Sequence, residues 1–459
     1  MKNNIKNIQD NEFYRKIFRL TWPSFVELFL SSLFTAIDLM MVGRLSPAAI
    51  SGVGITNQPF FLLISVFAAV NVGSTALVAW NIGSGEPKSA AAVLKQTLII
   101  NGCLGAVLSV AGFFSAEFIM KLMSTNPDIV RHATEYFRIV SAGLVFQSIN
   151  MGITACLRGC GLTSVPMVYN LCANFVNVML NFVLIYGKFG FPRLEVTGAA
   201  LATTISRLLG ATAAFIFVIT YKNSPVRLRI SGGWKPDRKI MREIFRIGIP
   251  SALEQFVIQS GLLIFNRIVE TLGVTAYAAQ QVCVSINGLA FSVSNAFSIS
   301  TTTLVGQSIG AGNTELAERY ARMTSRMARI ITFIIAVGFI FFWRLLAQIY
   351  TDDEAVIEFC RPIFYVVAVI QFIQSAQMSK TGALRGAGDT LYPLYASILG
   401  IWVFRVGMTA LFIFVFKFSL LGAWFAFLID QCMRSIVITL RFRSGKWKTV
   451  KNRRHNKNG

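Results

Sequence analysis

Long apolar stretches separated by short polar turns dominate this chain. Twelve of them are long enough to cross a bilayer, because about 20 helical residues rising about 1.5 Å each span ~30 Å of hydrocarbon. Helices are expected there, since lipid cannot satisfy an open backbone. The predicted crossings are residues 20–42, 50–80, 90–115, 134–157, 165–187, 196–221, 247–270, 274–304, 326–349, 357–383, 392–416 and 419–440.

The crossings form two sets of six that repeat at an offset of 227 residues. The segment PSFVE at Pro23 returns as PSALE at Pro250, and LRGCGLT at Leu157 returns as LRGAGDT at Leu384. Six crossings bring a chain back to its starting side, so both copies insert with the same polarity. The fold class predicted is an all-α membrane protein of twelve helices in two pseudo-twofold related six-helix bundles.

Composition and charge support a polytopic membrane protein. Hydrophobic residues make up 54% of the chain and charged residues 14%, yet the net charge is +22. Nucleic acid is one partner such a charge suggests, but the basic residues are densest in 222–246 and 441–457, with eight in each segment. The positive-inside rule accounts for this distribution, so we expect lipid and not nucleic acid as the partner.

The predicted organisation follows from this topology. Residues 1–19 form a cytoplasmic N-terminal segment, 20–221 the first lobe, 222–246 a basic cytoplasmic linker, 247–440 the second lobe and 441–459 a basic, disordered cytoplasmic tail. The polar N-terminal segment does not have the pattern of a removable signal peptide. A multi-pass protein of the plasma membrane with both termini in the cytoplasm is expected.

The residue types present argue against catalysis. The chain has two histidines, seven cysteines without a CxxC pair, and no phosphate loop of the GxxxxGK[ST] kind. We therefore expect no enzyme activity, no catalytic residues and no cofactor. An ion gradient would have to drive uphill transport.

Three carboxylates in the crossings, Glu27, Asp38 and Glu254, are candidates for coupling to such a gradient. A charge near the bilayer centre costs about 2.5 to 3.5 kcal/mol, which usually marks a solvated path or an ion site. Glu27 and Asp38 are eleven residues apart, so they share one helix face at a distance of roughly 16 Å. Proton exchange and Na⁺ binding are both open, with Na⁺ at Asp38 or Glu254 the one metal expected. The alternative is that these acids tie neighbouring helices together.

An amide stripe runs down the fifth crossing, formed by Asn170, Asn174, Asn177 and Asn181. It predicts either hydrogen bonds between helices or the wall of a polar cavity. The second copy has Ser397, Ile401, Phe404 and Met408 at these positions. This asymmetry favours a polar, cation-handling cavity in the first lobe and a more apolar one in the second. In the last crossing, Asp430 and Arg434 are four residues apart and predict a local ion pair.

From Ile17 to Arg441 the chain resembles the multidrug and toxic compound extrusion (MATE) transporters. The segments that carry the resemblance are AIDLMMVGRLSPAAI, VNVGSTALVAWNIGSGE, LRGCGLTSVPMVYN, FVLIYGKFGFP, GAALAT, LVGQSIGAGN and LRGAGDTLYP. The resemblance implies twelve helices in a V of two bundles that exchange Na⁺ or H⁺ for cationic drugs.

The resemblance also assigns residues. Asp38 matches the coupling Asp of the first helix, and Glu254 matches a Glu of the seventh helix. Asn177 and Asn181 match polar positions of the fifth helix, where some members have an Asp in place of Asn181. Gln374 lies where relatives often have an Asp in the tenth helix. Because both acids are replaced by amides, the identity of the coupling ion stays open.

The function predicted is export of organic, cationic or amphipathic compounds, drugs or metabolites, by a monomer through alternating access. The abundant Phe and Met side chains suit such guests. A flippase for a lipid-linked oligosaccharide is the alternative, although it would need a basic cavity for phosphates. A channel or a membrane enzyme would need features that the sequence does not display.

Overall fold

The computed structural model describes residues 2–221, 224–228 and 234–450, and nearly all of them are helical. The first seven helices are α1 (Lys2–Gly43), α2 (Pro47–Gly83), α3 (Pro87–Met123), α4 (Pro127–Ala142), α5 (Leu144–Gly159), α6 (Ser164–Tyr186) and α7 (Glu195–Thr220). The others are α8 (Arg238–Glu270), α9 (Val274–Gly310), α10 (Thr314–Phe341), α11 (Trp343–Gln348), α12 (Glu354–Gly386), α13 (Leu391–Val415) and α14 (Leu420–Arg443).

Eleven of these helices in the described part are long and apolar enough to span a bilayer, and α4 with α5 forms a twelfth span bent by 49°. The prediction of twelve crossings is therefore confirmed. Helix starts follow local chemistry, as where Asn126 caps α4 through its side chain and proline occupies the first turn.

The bend between α4 and α5 was not predicted, because residues 134–157 were expected to form one straight crossing. At the bend, the Thr204 hydroxyl donates to the Ile139 carbonyl at 3.1 Å, and the Gly143 amide bonds to the Val140 carbonyl instead. A side chain of α7 thus replaces one rung of the helical ladder. In the second copy, Ile370 occupies the position of Gly143, and α12 runs without a break.

The duplication extends to individual contacts. Shifting the bounds of α2 by 227 residues gives those of α9. The Thr75 hydroxyl donates to the Ala155 carbonyl at 3.1 Å, and the equivalent Thr302 hydroxyl donates to the Gly382 carbonyl at 3.0 Å. One packing solution for the second and fourth crossings is therefore used in both copies.

The two glycines of the repeated LRGxG segment are needed for different reasons. The first allows two helices to pack closely, and the second adopts a turn conformation. A Cβ on Gly159 would lie 2.8 Å from the Thr75 carbonyl oxygen, and one on Gly386 would collide with the Thr302 carbonyl oxygen. Two residues later, Gly161 has a φ of 84° and Gly388 a φ of 81°, the left-handed region that favours glycine.

The chain forms two compact units whose limits differ from those of the predicted lobes. The first unit is Val26–Gly248, and the second unit combines residues 1–25 with 249–459. Helices α1 and α8 begin at Lys2 and Arg238, well before the predicted crossings at 20 and 247. Each therefore contributes its first turns to one unit and the remainder to the other.

Within the second unit, the start of α1 packs on α9 and α10. The Phe13 ring lies 4.9 Å from that of Tyr320, Ile17 is fully buried, and the Thr21 hydroxyl donates to Ser300 Oγ at 2.9 Å. Residues 2–19 of the predicted cytoplasmic segment are thus part of a helix, and from Asn11 onwards their apolar side chains help to bury the surface of the second unit.

The predicted disorder of the tail is wrong for residues 441–450. Helix α14 continues to Arg443, Trp447 is completely buried and stacks on Phe442, and Lys448 forms an ion pair with Glu318. Burial of the indole ring and these polar contacts hold the segment on the second unit. Residues 222–223, 229–233 and 451–459, which include parts of the predicted linker and tail, lie outside the described residues.

Helix α13 differs from the ordinary helix that its composition predicts. Ile398–Gly407 and Leu411–Val415 adopt π-helical geometry, in which each carbonyl accepts from the amide five residues later. The wider turn presents Arg405 to α14, where it is buried.

We predict that Gly159→Ala and Gly386→Ala each lower the thermal unfolding temperature of the purified protein in detergent. The new methyl group meets a carbonyl oxygen that cannot move without shifting a helix, and such overpacking costs about 1 to 3 kcal/mol. Gly102→Ala is the matched control, since its Cβ would enter open space. Equal unfolding temperatures for all three variants would contradict this packing analysis.

Candidate functional site

Helices α1 and α6 are joined side by side by polar pairs in constant register. The partners in each pair are 143 residues apart: Glu27 with Asn170 at 2.6 Å, Ser31 with Asn174 at 3.0 Å and Asp38 with Asn181 at 2.7 Å. Helices that run parallel keep such a constant separation. The amide stripe of the fifth crossing therefore faces the acidic face of the first crossing, and both stripes lie in the first unit.

The end of this seam near the C-terminus of α1 holds Asp38. The Asn181 amide nitrogen donates to Asp38 Oδ1 at 2.7 Å and to Asn177 Oδ1 at 3.4 Å. Asn181 is 1% exposed, and its own Oδ1 accepts no hydrogen bond from the described residues. A carboxylate and an unused amide oxygen thus lie on adjacent side chains. Oxygen atoms of these two kinds are suitable ligands for Na⁺.

The opposite end of the seam is an ion pair. Arg158, the arginine of the LRGCG turn, donates to Glu27 at 2.8 Å, while Asn170 also receives a hydrogen bond from Asn150 at 2.9 Å. Glu27 is 5% exposed. Here the acid ties α1 to α5 and α6, which was the alternative considered for it. Any role of Glu27 in cation coupling stays a prediction.

Glu254 forms the equivalent ion pair in the second unit. Arg385 donates to it at 2.8 Å, and Ser397 donates at 3.3 Å. The two pairs are related by the offset of 227 residues, and in each the Glu and Arg are 131 residues apart. A buried carboxylate that is paired with a guanidinium primarily holds two helices together. A role of Glu254 in cation coupling therefore also remains a prediction.

The arginines of these ties were missed by sequence reasoning. Arg158 and Arg385 were noted only as part of a repeated motif, although each repeats together with its Glu at the same offset. An acid and a base that recur jointly in two copies of a bundle are expected to neutralise one another, because neither is tolerated alone in hydrocarbon. That joint recurrence was the available signal.

The second unit lacks a counterpart of the Asp38–Asn181 pair. Phe265, Phe404 and Met408 occupy the positions of Asp38, Asn177 and Asn181. Phe265 is 3% exposed and belongs to the apolar core of this unit. At this level the predicted asymmetry between the copies is present in the structure.

The second unit also contains amide side chains, among them Gln374, whose assignment to a polar cavity stays a prediction. Gln371 on α12 donates to Asn287 Oδ1 on α9 at 2.7 Å. Gln374, one turn further on α12, is buried, and its Oε1 has no hydrogen-bond partner among the described residues. The stripe comparison overlooked this amide cluster because its members lie on α9 and α12 and not on α13. No described hydrogen bond connects Gln374 with Glu254.

The predicted Asp430–Arg434 ion pair exists, with Arg434 Nε 2.7 Å from Asp430 Oδ1, and it includes a third member. Arg405 from the π-helical part of α13 lies 2.6 Å from Asp430 Oδ2, and its guanidinium stacks 3.6 Å from the centre of the Phe427 ring. In the first unit, Arg207 is the equivalent of Arg434 and Thr203 that of Asp430. Arg207 instead donates to the Val140 carbonyl at 3.4 Å.

In the described part of the chain, no three His, Cys, Asp or Glu side chains come together in a way that could hold a metal ion. Two homologous sets of six membrane-spanning helices, with a carboxylate held by amides inside one of them, define a helical membrane transporter.

Comparison with known proteins gives the family. The family model MatE matches residues 23–183 and again 250–411, so each copy of the repeat matches it separately. The chain therefore belongs to the MatE family of transporters and is not an enzyme.

Relatives and solved structures agree with this assignment. A protein of Thermotoga maritima named "probable multidrug resistance protein NorM" is 31% identical over 446 residues, which cover 97% of this chain and 96% of the relative. The "uncharacterized transporter YisQ" of Bacillus subtilis is 26% identical over 443 residues, which cover 96% of each protein. The crystal structure of a MATE in complex with MaL6 matches with a TM-score of 0.89 at 23% identity, covering 95% of this chain and 97% of that one. This last match confirms the predicted fold class.

We predict that Glu254 and Arg385 are energetically coupled. Glu254→Gln alone leaves a buried guanidinium without its carboxylate, which typically costs about 3 to 5 kcal/mol. The double variant with Arg385→Gln should recover part of that loss, and unfolding of all four proteins in detergent measures the coupling. The Glu27–Arg158 pair offers the matched cycle in the other copy. Additive losses in both cycles would contradict the assignment of structural ties.

Proposed function

We propose that this protein is a multidrug efflux antiporter. It exports organic, cationic or amphipathic compounds in exchange for Na⁺ or H⁺ through alternating access of its two helical units. It acts as a monomer in the cytoplasmic membrane, with both termini on the cytoplasmic side. The name of the Thermotoga maritima relative, a multidrug resistance protein, supports efflux of drugs. Its small-molecule partners are drugs or metabolites of this kind. The coupling ion, Na⁺ or H⁺, is itself transported, and the proposed cycle uses no cofactor.

The observation that carries the proposal is the Asp38–Asn181 pair. Glu27 and Glu254 are each held by an arginine at 2.8 Å, so their charges are compensated from within the fold. Asp38 receives its described hydrogen bond from a neutral amide at 2.7 Å. Beside this carboxylate lies Asn181 Oδ1, which accepts no hydrogen bond from the described residues, so two oxygen atoms of the kinds that bind Na⁺ are adjacent. Of the three acids, Asp38 has the surroundings best suited to loading and release.

The same pair can distinguish a loaded from an unloaded state. With Asp38 ionised, Asn181 holds it by a charge-assisted hydrogen bond. A proton or Na⁺ at Asp38 removes that charge and weakens the hold on α1, and Na⁺ could also use the unused oxygen of Asn181. Loading would thus shift the balance between access states, and drug binding would shift it back. One carboxylate at this place corresponds to one monovalent cation per cycle.

The available energy suffices for efflux. A membrane potential of 100 mV supplies about 2.3 kcal/mol per charge. At about 1.4 kcal/mol per tenfold change, that corresponds to roughly fiftyfold accumulation of substrate for each charge moved.

We predict that Asp38→Asn abolishes drug efflux while the protein still reaches the membrane and unfolds at the normal temperature. The substitution keeps the side-chain shape but removes the charge that binds the cation. Efflux of a fluorescent organic cation from cells, with protein quantified in the membrane fraction, measures the effect. Asp352→Asn is the matched control, because it removes the same charge at an exposed loop position. Undiminished efflux by Asp38→Asn would remove this carboxylate from the mechanism.

The coupling ion can be identified with purified protein in vesicles. A pH gradient and a Na⁺ gradient are imposed separately, and uptake of the same organic cation is followed. Wild-type protein should respond to one of them, and Asp38→Asn to neither. Transport that proceeds equally without any gradient would contradict antiport and favour a passive carrier.

A further inference from the structure

A basic cavity lies in the first unit where α3 faces the residues that lead into α8. Its volume is about 620 Å³, and its lining residues are Ala92, Lys95, Gln96, Lys235, Pro236, Asp237, Arg238, Lys239 and Ile240. Four of these side chains are basic and one is acidic. It is separate from the α1–α6 seam described above, since none of its lining residues belongs to α1 or α6.

A buried amide side chain fixes the backbone on one side of the cavity. Gln96 is 3% exposed, its Nε2 donates to the Lys235 carbonyl at 3.0 Å, and its Oε1 accepts from the Asp237 amide at 3.1 Å. Both ends of one side chain on α3 therefore fix the backbone that carries three of the cations. The chain before α8 is thus preorganised on one side of the cavity.

The single carboxylate of the lining is already engaged. Asp237 caps α8, accepting from the backbone amides of Lys239 at 2.8 Å and Ile240 at 3.3 Å. Because this side chain occupies the helix terminus, the positive character of the cavity comes from its four basic side chains and not from the helix end. The site carries net positive charge that suits a multivalent anion.

In the second copy, the residue equivalent to Lys95 forms an ion pair. Lys95 corresponds to Arg322, which lies 2.7 Å from Glu318 one turn earlier on α10. The position of Glu318 is Ala91 in the first copy. The first copy therefore has no acid one turn before this position, in contrast to the second copy.

The cavity lies near the first residues of two helices that are long and apolar enough to span a bilayer. Both α3 and α8 start at the side where the chain carries most of its basic residues, and Trp234, with Lys95 Nζ 5.6 Å from its ring centre, is 41% exposed beside the cavity. An exposed indole next to lysines at the end of a membrane-spanning helix is typical of the headgroup region.

We propose that this cavity binds a phosphate-bearing anion, namely the headgroup of an anionic phospholipid of the adjacent leaflet. Lys95, Arg238 and Lys239 provide charge-assisted hydrogen bonds to the phosphate, and Trp234 lies against the upper part of the acyl chains. Gln96 acts as a positioning residue that keeps the basic segment in place.

Native mass spectrometry of the full-length protein in detergent tests the proposal, with phosphatidylglycerol and phosphatidylcholine as probes. The first phosphatidylglycerol should bind about tenfold more tightly than phosphatidylcholine. Lys95→Ala with Lys239→Ala should weaken it by about tenfold or more, since each basic residue near the surface contributes to anionic lipid binding. The matched control is Arg322→Ala with Arg326→Ala, which removes the same charge from the second copy and should change the affinity less than twofold.

Four further outcomes decide the matter. Equal weakening by both double variants would mean diffuse attraction to basic residues and would overturn a built site, as would equal binding of the two lipids. Displacement of the lipid by millimolar inorganic phosphate in the wild type only would support the phosphate chemistry. If inorganic phosphate alone binds the wild type as tightly as the lipid does, the site stands but its ligand is a soluble phosphate.

Discussion

The absence of water inside a bilayer governs the polar architecture of this protein. Glu27, Asp38, Glu254 and Asp430 each meet a donor from another helix, because a carboxylate left alone in hydrocarbon costs more than a helix pair can sustain. The donors are of two kinds. Glu27, Glu254 and Asp430 meet guanidinium groups, whereas Asp38 accepts a hydrogen bond from the Asn181 amide at 2.7 Å. The acid–arginine pairs hold helices of the scaffold together, and the Asp38–Asn181 pair is the one that we propose takes part in ion exchange.

Gene duplication made this difference visible. The two copies share the bounds of their second crossings, the Thr75 and Thr302 hydrogen bonds, and the Glu–Arg ties at a constant offset, so these features belong to the common scaffold. Asp38 and Asn181 have no polar counterpart, since Phe265 and Met408 stand in their places. Features kept in both copies serve folding, and features kept in one copy are where the copies could specialise.

Much of the fold was predictable because hydropathy and repeat spacing report on burial directly. Apolar runs gave the crossings, and the eleven-residue spacing of Glu27 and Asp38 correctly placed them on one face. The partners of those acids depend on which helices become neighbours, which the pattern of one helix does not encode. The bend at Gly143, the π-helical turns around Arg405 and the buried Gln371–Asn287 pair likewise arise from contacts between elements. The burial of Trp447 was not predicted, because the many basic residues of this segment favoured a disordered tail and its single indole ring was given too little weight.

The missing rung between α4 and α5 has a mechanical consequence. A helix resists flexing through its ladder of backbone hydrogen bonds, and at the bend of the first copy one of these bonds is replaced by the hydroxyl of Thr204, while α12 passes the equivalent Ile370 as one helix. Two crossings built to one plan therefore differ in stiffness at this level. Elastic deformation of the fourth crossing in the first copy would concentrate at Gly143, which separates α4 from α5.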